Sequence, residues 1–154
     1  MMEQEAQKVK LIYICSPFRS DNKAEQYANV RAAQKYCRDA YNKNCIPVAP
    51  HLYLPQFLDD DTPAERDLAL RIGLRLINYC SEVWVHGDRI SDGMRGEIDY
   101  ASSTGKKIIY FKTGPQGQIT RATETKTSFE GVAALVDYED MQDLIEEGIV
   151  SDLY

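Results

Sequence analysis

The sequence predicts an α/β fold, a flavodoxin-like or Rossmann-like three-layer sandwich on a mainly parallel sheet of four to five strands. Three observations carry this. Runs rich in β-branched and aromatic residues alternate with helical runs in the order βαβαβαβ. The helical runs repeat apolar residues at three- and four-residue steps, the mark of one buried face. Strands joined through helices form parallel sheets covered on both sides, and right-handed crossovers then leave few topologies. At 154 residues the chain fits one domain, 1–154, with residues 1–8 as a loose N-terminus.

Residues 8–15 (KVKLIYIC) read as a buried strand, and Pro17 ends its pairing in a loop over residues 16–21. Ser20 or Asp21 is positioned to cap the next helix, 22–41, whose stripe is Tyr27, Val30, Ala33, Cys37 and Ala40. Residues 45–49 (CIPVA) form a short strand, which Pro47 confines to a sheet edge or a bulge. A long loop over 50–62 follows. Pro63 suits the first turn of a helix over 64–79, striped by Leu68, Ile72, Leu76 and Tyr79. Residues 82–86 (EVWVH) make the third strand, and 87–93 (GDRISDG) a loop. A helix over 94–103 ends near Gly105, and 107–111 (KIIYF) is the fourth strand. Beyond it, 112–126 is polar and reads as a mobile loop or a hairpin; 132–136 suggests one more strand and 138–148 a weaker helix.

Charge and composition narrow the function. The chain carries 24 acidic and 18 basic side chains, a net charge of −6, which argues against long nucleic acids as partners. Eight of those carboxylates and no Lys or Arg fall in residues 130–154, so residues 1–129 carry +2. The predicted site loops are therefore not anion-repelling. No apolar run approaches the ~20 residues of a membrane span. Residues 1–10 lack the basic start and apolar core of a signal peptide, so a cytoplasmic protein is expected. Cys15, Cys37, Cys45 and Cys80 contain no C-x-x-C pair, and only His51 and His86 accompany them. They read as reduced thiols, with no metal or other cofactor expected. A catalytic Cys15 at the strand end lacks a His partner in any visible motif.

In open parallel sheets, ligands bind beyond the carboxyl ends of the strands, which here means the loops 16–21, 50–62, 87–93 and 112–126. Three constellations lie there. In the first, Tyr13 stands near a strand end and Arg19 offers a planar fork for phosphate or carboxylate. Neither a P-loop nor a dinucleotide fingerprint is present. In the second, Asp88, Ser91, Asp92, Gly93 and Met94 lead into a helix start whose free amides favour an anion, and Glu97 lies one turn in. Asp92 could cap that helix or act on substrate. In the third, His51, Tyr53 and Phe57 could stack on a flat base or form a satellite apolar cluster. Asp59, Asp60 and Asp61 read as a solvated capping run, with Mg²⁺ coordination as the alternative.

Read together, these stretches resemble the nucleoside 2-deoxyribosyltransferase superfamily, and most of all a bacterial and phage branch of uncharacterised function. The matching text is YICSPFR (13–19), IPVAPHLYLPQFLDD (46–60), ERDLALRIGLRLINYCSEVWVHGDRISDGMRGEIDYA (65–101) and GKKIIYF (105–111). Tyr13, Ser16, Pro17 and Arg19 match an early site-forming segment. The run from Gly93 to Ala101 matches the glycine-rich helix start of those enzymes, and Glu97 falls on their nucleophile. Asp99 departs from the small residue usual there. The resemblance implies a flavodoxin-like sandwich, N-glycosidic bond cleavage, no required metal, and homo-oligomers (dimer or higher) whose neighbours complete each site.

Glu97 is thus expected to attack the anomeric carbon, with Tyr13 orienting it and Asp92 moving a proton to the leaving base. Ser16, Pro17, Phe18, Arg19, His51, Asp88, Ser91, Gly93 and Met94 are the expected substrate-binding residues. The expected partner is a small-molecule nucleoside or nucleotide, Arg19 favouring the nucleotide. The alternative is a non-catalytic nucleotide sensor or sequestering protein on the same fold.

Overall fold

The computed structural model describes residues 8–122. Its elements run β1 (Leu11–Cys15), α1 (Lys23–Asn42), β2 (Ile46–Val48), α2 (Pro63–Tyr79), β3 (Glu82–Val85), α3 (Asp92–Ser103), β4 (Lys107–Thr113) and β5 (Ile119–Arg121). Two 3₁₀ turns, Pro50–Leu52 and Leu54–Gln56, organise the long connection before α2. The five strands lie in the order β2-β1-β3-β4-β5. The first three pairings are parallel and β4–β5 is antiparallel. This is the flavodoxin-like strand order with an added hairpin strand.

Alternation along β1 sets the two cores. Tyr13 and Cys15 face α2 and α3, where they pack with Leu74, Ile77, Val83, Met94 and Ile98. Ile12 and Ile14 face α1, where they meet Tyr36, Ala40, Trp84, Ile109 and Phe111. As Pro47 requires, β2 is the sheet edge, with Pro47 opposite Ile12. Of the two readings of 112–126, the chain adopts the hairpin as far as residue 122. The strand and helix expected at 132–136 and 138–148, and residues 1–7, lie outside the described residues.

Several local expectations need correction. The N-cap of α1 is Asn22, whose side chain accepts from the amides of Ala24 and Glu25. Ser20 instead supports the cap, accepting from the Asn22 amide and bonding Glu25. The α3 helix begins at Asp92, two residues earlier than expected, because the Ser91 hydroxyl accepts from the Met94 amide. The buried side of α2 is Gly73, Leu74 and Ile77, and Tyr79 is 67% exposed. Apolar residues occupy most of that helix's circumference, so their spacing alone does not select a face. Likewise on α1 Tyr36 is buried and Tyr27 is exposed.

Candidate active site

From β1 the chain passes through α1 to β2 on one side of it, then returns through α2 to β3 on the other, so the strand order reverses at β1. The crevice at that reversal is where such sheets hold ligands. Here it is a cleft of about 720 Å³, within the ~300–1,000 Å³ of small-molecule sites. Its walls are the loop after β1, the 3₁₀ turns after β2, the first half of α2 and the start of α3.

At the floor, Tyr13 Oη donates to Glu97 Oε1 at 3.0 Å. Tyr13 is fully buried on β1, and Glu97 keeps part of its surface open to the cleft. Burial pushes the Glu97 carboxyl up to about 7, against hydrogen bonds from Cys15 and Tyr13 that favour its charged form. The same burial, with the charge of Glu97 beside it, holds the Tyr13 phenol well above its ordinary value. Burial also raises the Cys15 thiol, which lies 3.8 Å from the Met94 carbonyl oxygen. A protonated thiol is a poor nucleophile, so Cys15 is a packing and hydrogen-bonding neighbour here.

On the opposite wall Ser16 Oγ and His51 Nε2 are 3.1 Å apart. The His51 ring sits 6.1 Å from that of Phe18. Burial pushes His51 down to about 4, so it is neutral at physiological pH. Three ion pairs tie the rim together. Arg19 Nε lies 3.5 Å from Asp60 and its guanidinium 3.9 Å from Asp61, while Arg89 lies 3.3 Å from Glu25. Asp59 turns inward on its own loop, accepting from the Asp61 amide and the Thr62 hydroxyl. Among the described residues no three of His, Cys, Asp and Glu converge as metal ligands.

Of the expected site residues, Glu97, Tyr13, Asp92, Ser16, Phe18, Arg19, His51, Ser91, Gly93 and Met94 all line this cleft. Pro17 and Asp88 do not. They line a second, smaller depression of about 230 Å³ on the α1 side, beside Tyr36. Gly87 lines that depression with them: it adopts φ +104°, and a side chain there would lie 2.8 Å from Pro17, so the loops after β1 and β3 press together at this point. Residues not anticipated are Arg66 and Arg89, which add cations to the wall, and Gly73, which lies under Tyr13. Arg89 falls within the expected site loop 87–93, an isolated glycine inside a helical run points to Gly73, and no sequence signal singles out Arg66.

Strand order, cleft position and a desolvated carboxyl paired with a phenol define a class of protein. It is a flavodoxin-like α/β domain with an acid at the floor of a small-molecule cleft. The chain belongs to the family described as a domain of unknown function, DUF7768, whose model matches residues 10–111. That span includes every site residue above. No curated protein matches the chain. Among solved structures it is similar to a 2-deoxyribosyltransferase from the psychrotolerant bacterium Bacillus psychrosaccharolyticus, with 22% identity and a TM-score of 0.50 over 66% of this chain and 72% of that one. At that identity the likeness is one of fold. Among the described residues no helix is long and apolar enough to cross a membrane.

Proposed function

We propose that the protein cleaves the N-glycosidic bond of a nucleoside, or transfers its 2-deoxyribosyl group to a second base, through Glu97. The observation that carries this is the Tyr13–Glu97 pair at the floor of the cleft, 3.0 Å across. The ionised Glu97 carboxylate bonds to C1′ as the C1′–N bond breaks, and the bonding electrons leave with the base. Tyr13 holds one carboxylate oxygen and leaves the other to react. Asp92, exposed in the first turn of α3, carries the proton between solvent and the departing base. Water at C1′ then frees Glu97 and gives hydrolysis; a second base in its place gives transfer. The fold shared with a deoxyribosyltransferase supports the same reading.

Two of the three arginines lining the cleft already face carboxylates, which favours an uncharged nucleoside over its 5′-phosphate. Arg19 already faces Asp60 and Asp61, and Arg89 faces Glu25. A phosphate must displace those carboxylates before it meets either guanidinium. The resemblance of the sequence to the deoxyribosyltransferase superfamily supports a homo-oligomer, and the reduced thiols expected of Cys15, Cys37, Cys45 and Cys80 support a cytoplasmic location.

The test is incubation with ribo- and deoxyribonucleosides and their 5′-monophosphates, with free base followed by chromatography. Release is expected from a nucleoside, falling at least ~1,000-fold in Glu97→Ala. Release that survives this substitution removes Glu97 as the nucleophile. Binding without release by the wild type assigns the sensor or sequestering role instead.

A further inference from the structure

The Tyr13 hydroxyl is seated against the backbone of α2. We infer that Gly73, in the middle of α2, is a positioning residue for Glu97, because its missing side chain is what lets that hydroxyl reach the carboxylate. The inference builds on the reading of Glu97 as the reacting group.

Three elements meet at this point: β1 supplies Tyr13, α3 supplies Glu97, and α2 closes the space between them with Gly73. A Cβ built on Gly73 would stand 2.8 Å from Tyr13 Oη, closer than carbon and oxygen approach without bonding. Its next contacts, Glu97 Oε1 at 3.7 Å and Tyr13 Cζ at 3.9 Å, are ordinary ones. The conflict is therefore with one atom, the hydroxyl oxygen. Glycine is among the poorest residues for a helix interior and alanine the best, so local propensity does not explain its presence. Nor can α2 readily move aside. Its end is tied to α3 by Tyr100 Oη donating to Asn78 at 2.7 Å. Lys106 adds bonds to the carbonyls of Asn78 at 3.1 Å and Cys80 at 2.9 Å. With α2 held, an alanine at 73 displaces the hydroxyl, and Glu97 loses one of the two donors, Tyr13 beside Cys15, that favour its charged form.

This predicts a coupling that a packing role does not. Gly73→Ala harms the site only while residue 13 carries a hydroxyl. The test is a double-mutant cycle of Gly73→Ala with Tyr13→Phe, read by carbon NMR titration of the labelled Glu97 carboxyl and by thermal unfolding. Gly73→Ala alone should raise the Glu97 midpoint by about half to one pH unit and lower the melting temperature. In the Tyr13→Phe background it should leave the midpoint where Tyr13→Phe put it, and the melting temperature should stay level or rise. An unchanged midpoint in Gly73→Ala overturns the inference, as does an equal shift in both backgrounds. If Gly73→Ala does not fold, the double variant decides: melting at or above Tyr13→Phe supports the inference, and melting below it or failing to fold overturns it. None of these readouts uses turnover. Absence of base release therefore removes Glu97 as the nucleophile and leaves the cycle readable, while a failed cycle with base release intact removes Gly73 alone.

Discussion

A carboxyl group holds its proton more tightly where water is scarce, and Glu97 sits in such a place, with its pKa raised to about 7. This has opposite consequences for chemistry and for stability. Attack on C1′ requires the carboxylate, so kcat/KM for base release should rise with pH through a limb near 7. Tyr13→Phe should displace that limb to higher pH and lower the rate about 10-fold, as expected for loss of a hydrogen bond to a charged group. Stability runs the other way. Below the ordinary carboxyl value of 4.5 both folded and unfolded chains hold the proton. Between that value and about 7 the unfolded chain releases it first, so ionisation favours unfolding. Glu97→Gln should therefore raise the melting temperature at pH 8, by an amount equivalent to about 2 kcal/mol once solvent in the cleft is allowed for, and change little at pH 4.5. Equal melting shifts at both pH values would show that the folded-state carboxyl is not perturbed.

At the scale of elements, the face covered by α1 contains an unexpected feature at the end of β3. The His86 ring is stacked between Tyr36, 4.1 Å away, and Phe111, 4.8 Å away, and is only 1% exposed. Neither ring nitrogen has a hydrogen-bond partner. A buried, unpaired polar group costs about 1–3 kcal/mol, and the flat ring packs well regardless. His86→Phe should keep the stack, remove the orphaned N–H and raise the melting temperature by several degrees; a lower melting temperature would mean the nitrogens have a partner in solution. The sequence places the strand correctly, because a run of valine and tryptophan is unambiguous, but ends it on His86, one residue beyond its actual end at Val85. It did not foresee the stack, which joins residues 36, 86 and 111 from three separate elements. On α1 the expected stripe holds at Ala33, Cys37 and Ala40 and fails at Tyr27, whereas α2, apolar on most sides, takes its orientation from what it packs against.

At the scale of the molecule, three groups among the described residues, each shifted to a value between about 4 and 7, shape stability. His51 and His86 are both pushed down to about 4 by burial, so between that value and 6.5 the unfolded chain binds protons that the folded chain refuses. Folding is strengthened as pH rises through that window and lost on acidification. Glu97 opposes them over nearly the same range, one proton against two. Calorimetry should accordingly find the melting temperature rising from pH 4.5 to 6.5 and easing back by pH 8; a steady fall from pH 4.5 would show that the imidazoles are not buried in their neutral form. The place of the site was legible from the sequence, since alternating strands and helices send four loops to one end of the sheet. Its wiring was not, because Arg19–Asp60 and Arg89–Glu25 join segments far apart in the chain. The two margins of the sheet have a consequence for crowded conditions. β2 is three residues long and contains Pro47, and β5 is also three residues long and runs antiparallel to its neighbour. Among the described residues, each of these two edge strands offers no more than three residues of ladder to a strand from another molecule. Residues 8–122 of neighbouring copies should therefore resist runaway stacking through β2 or β5 into fibrils.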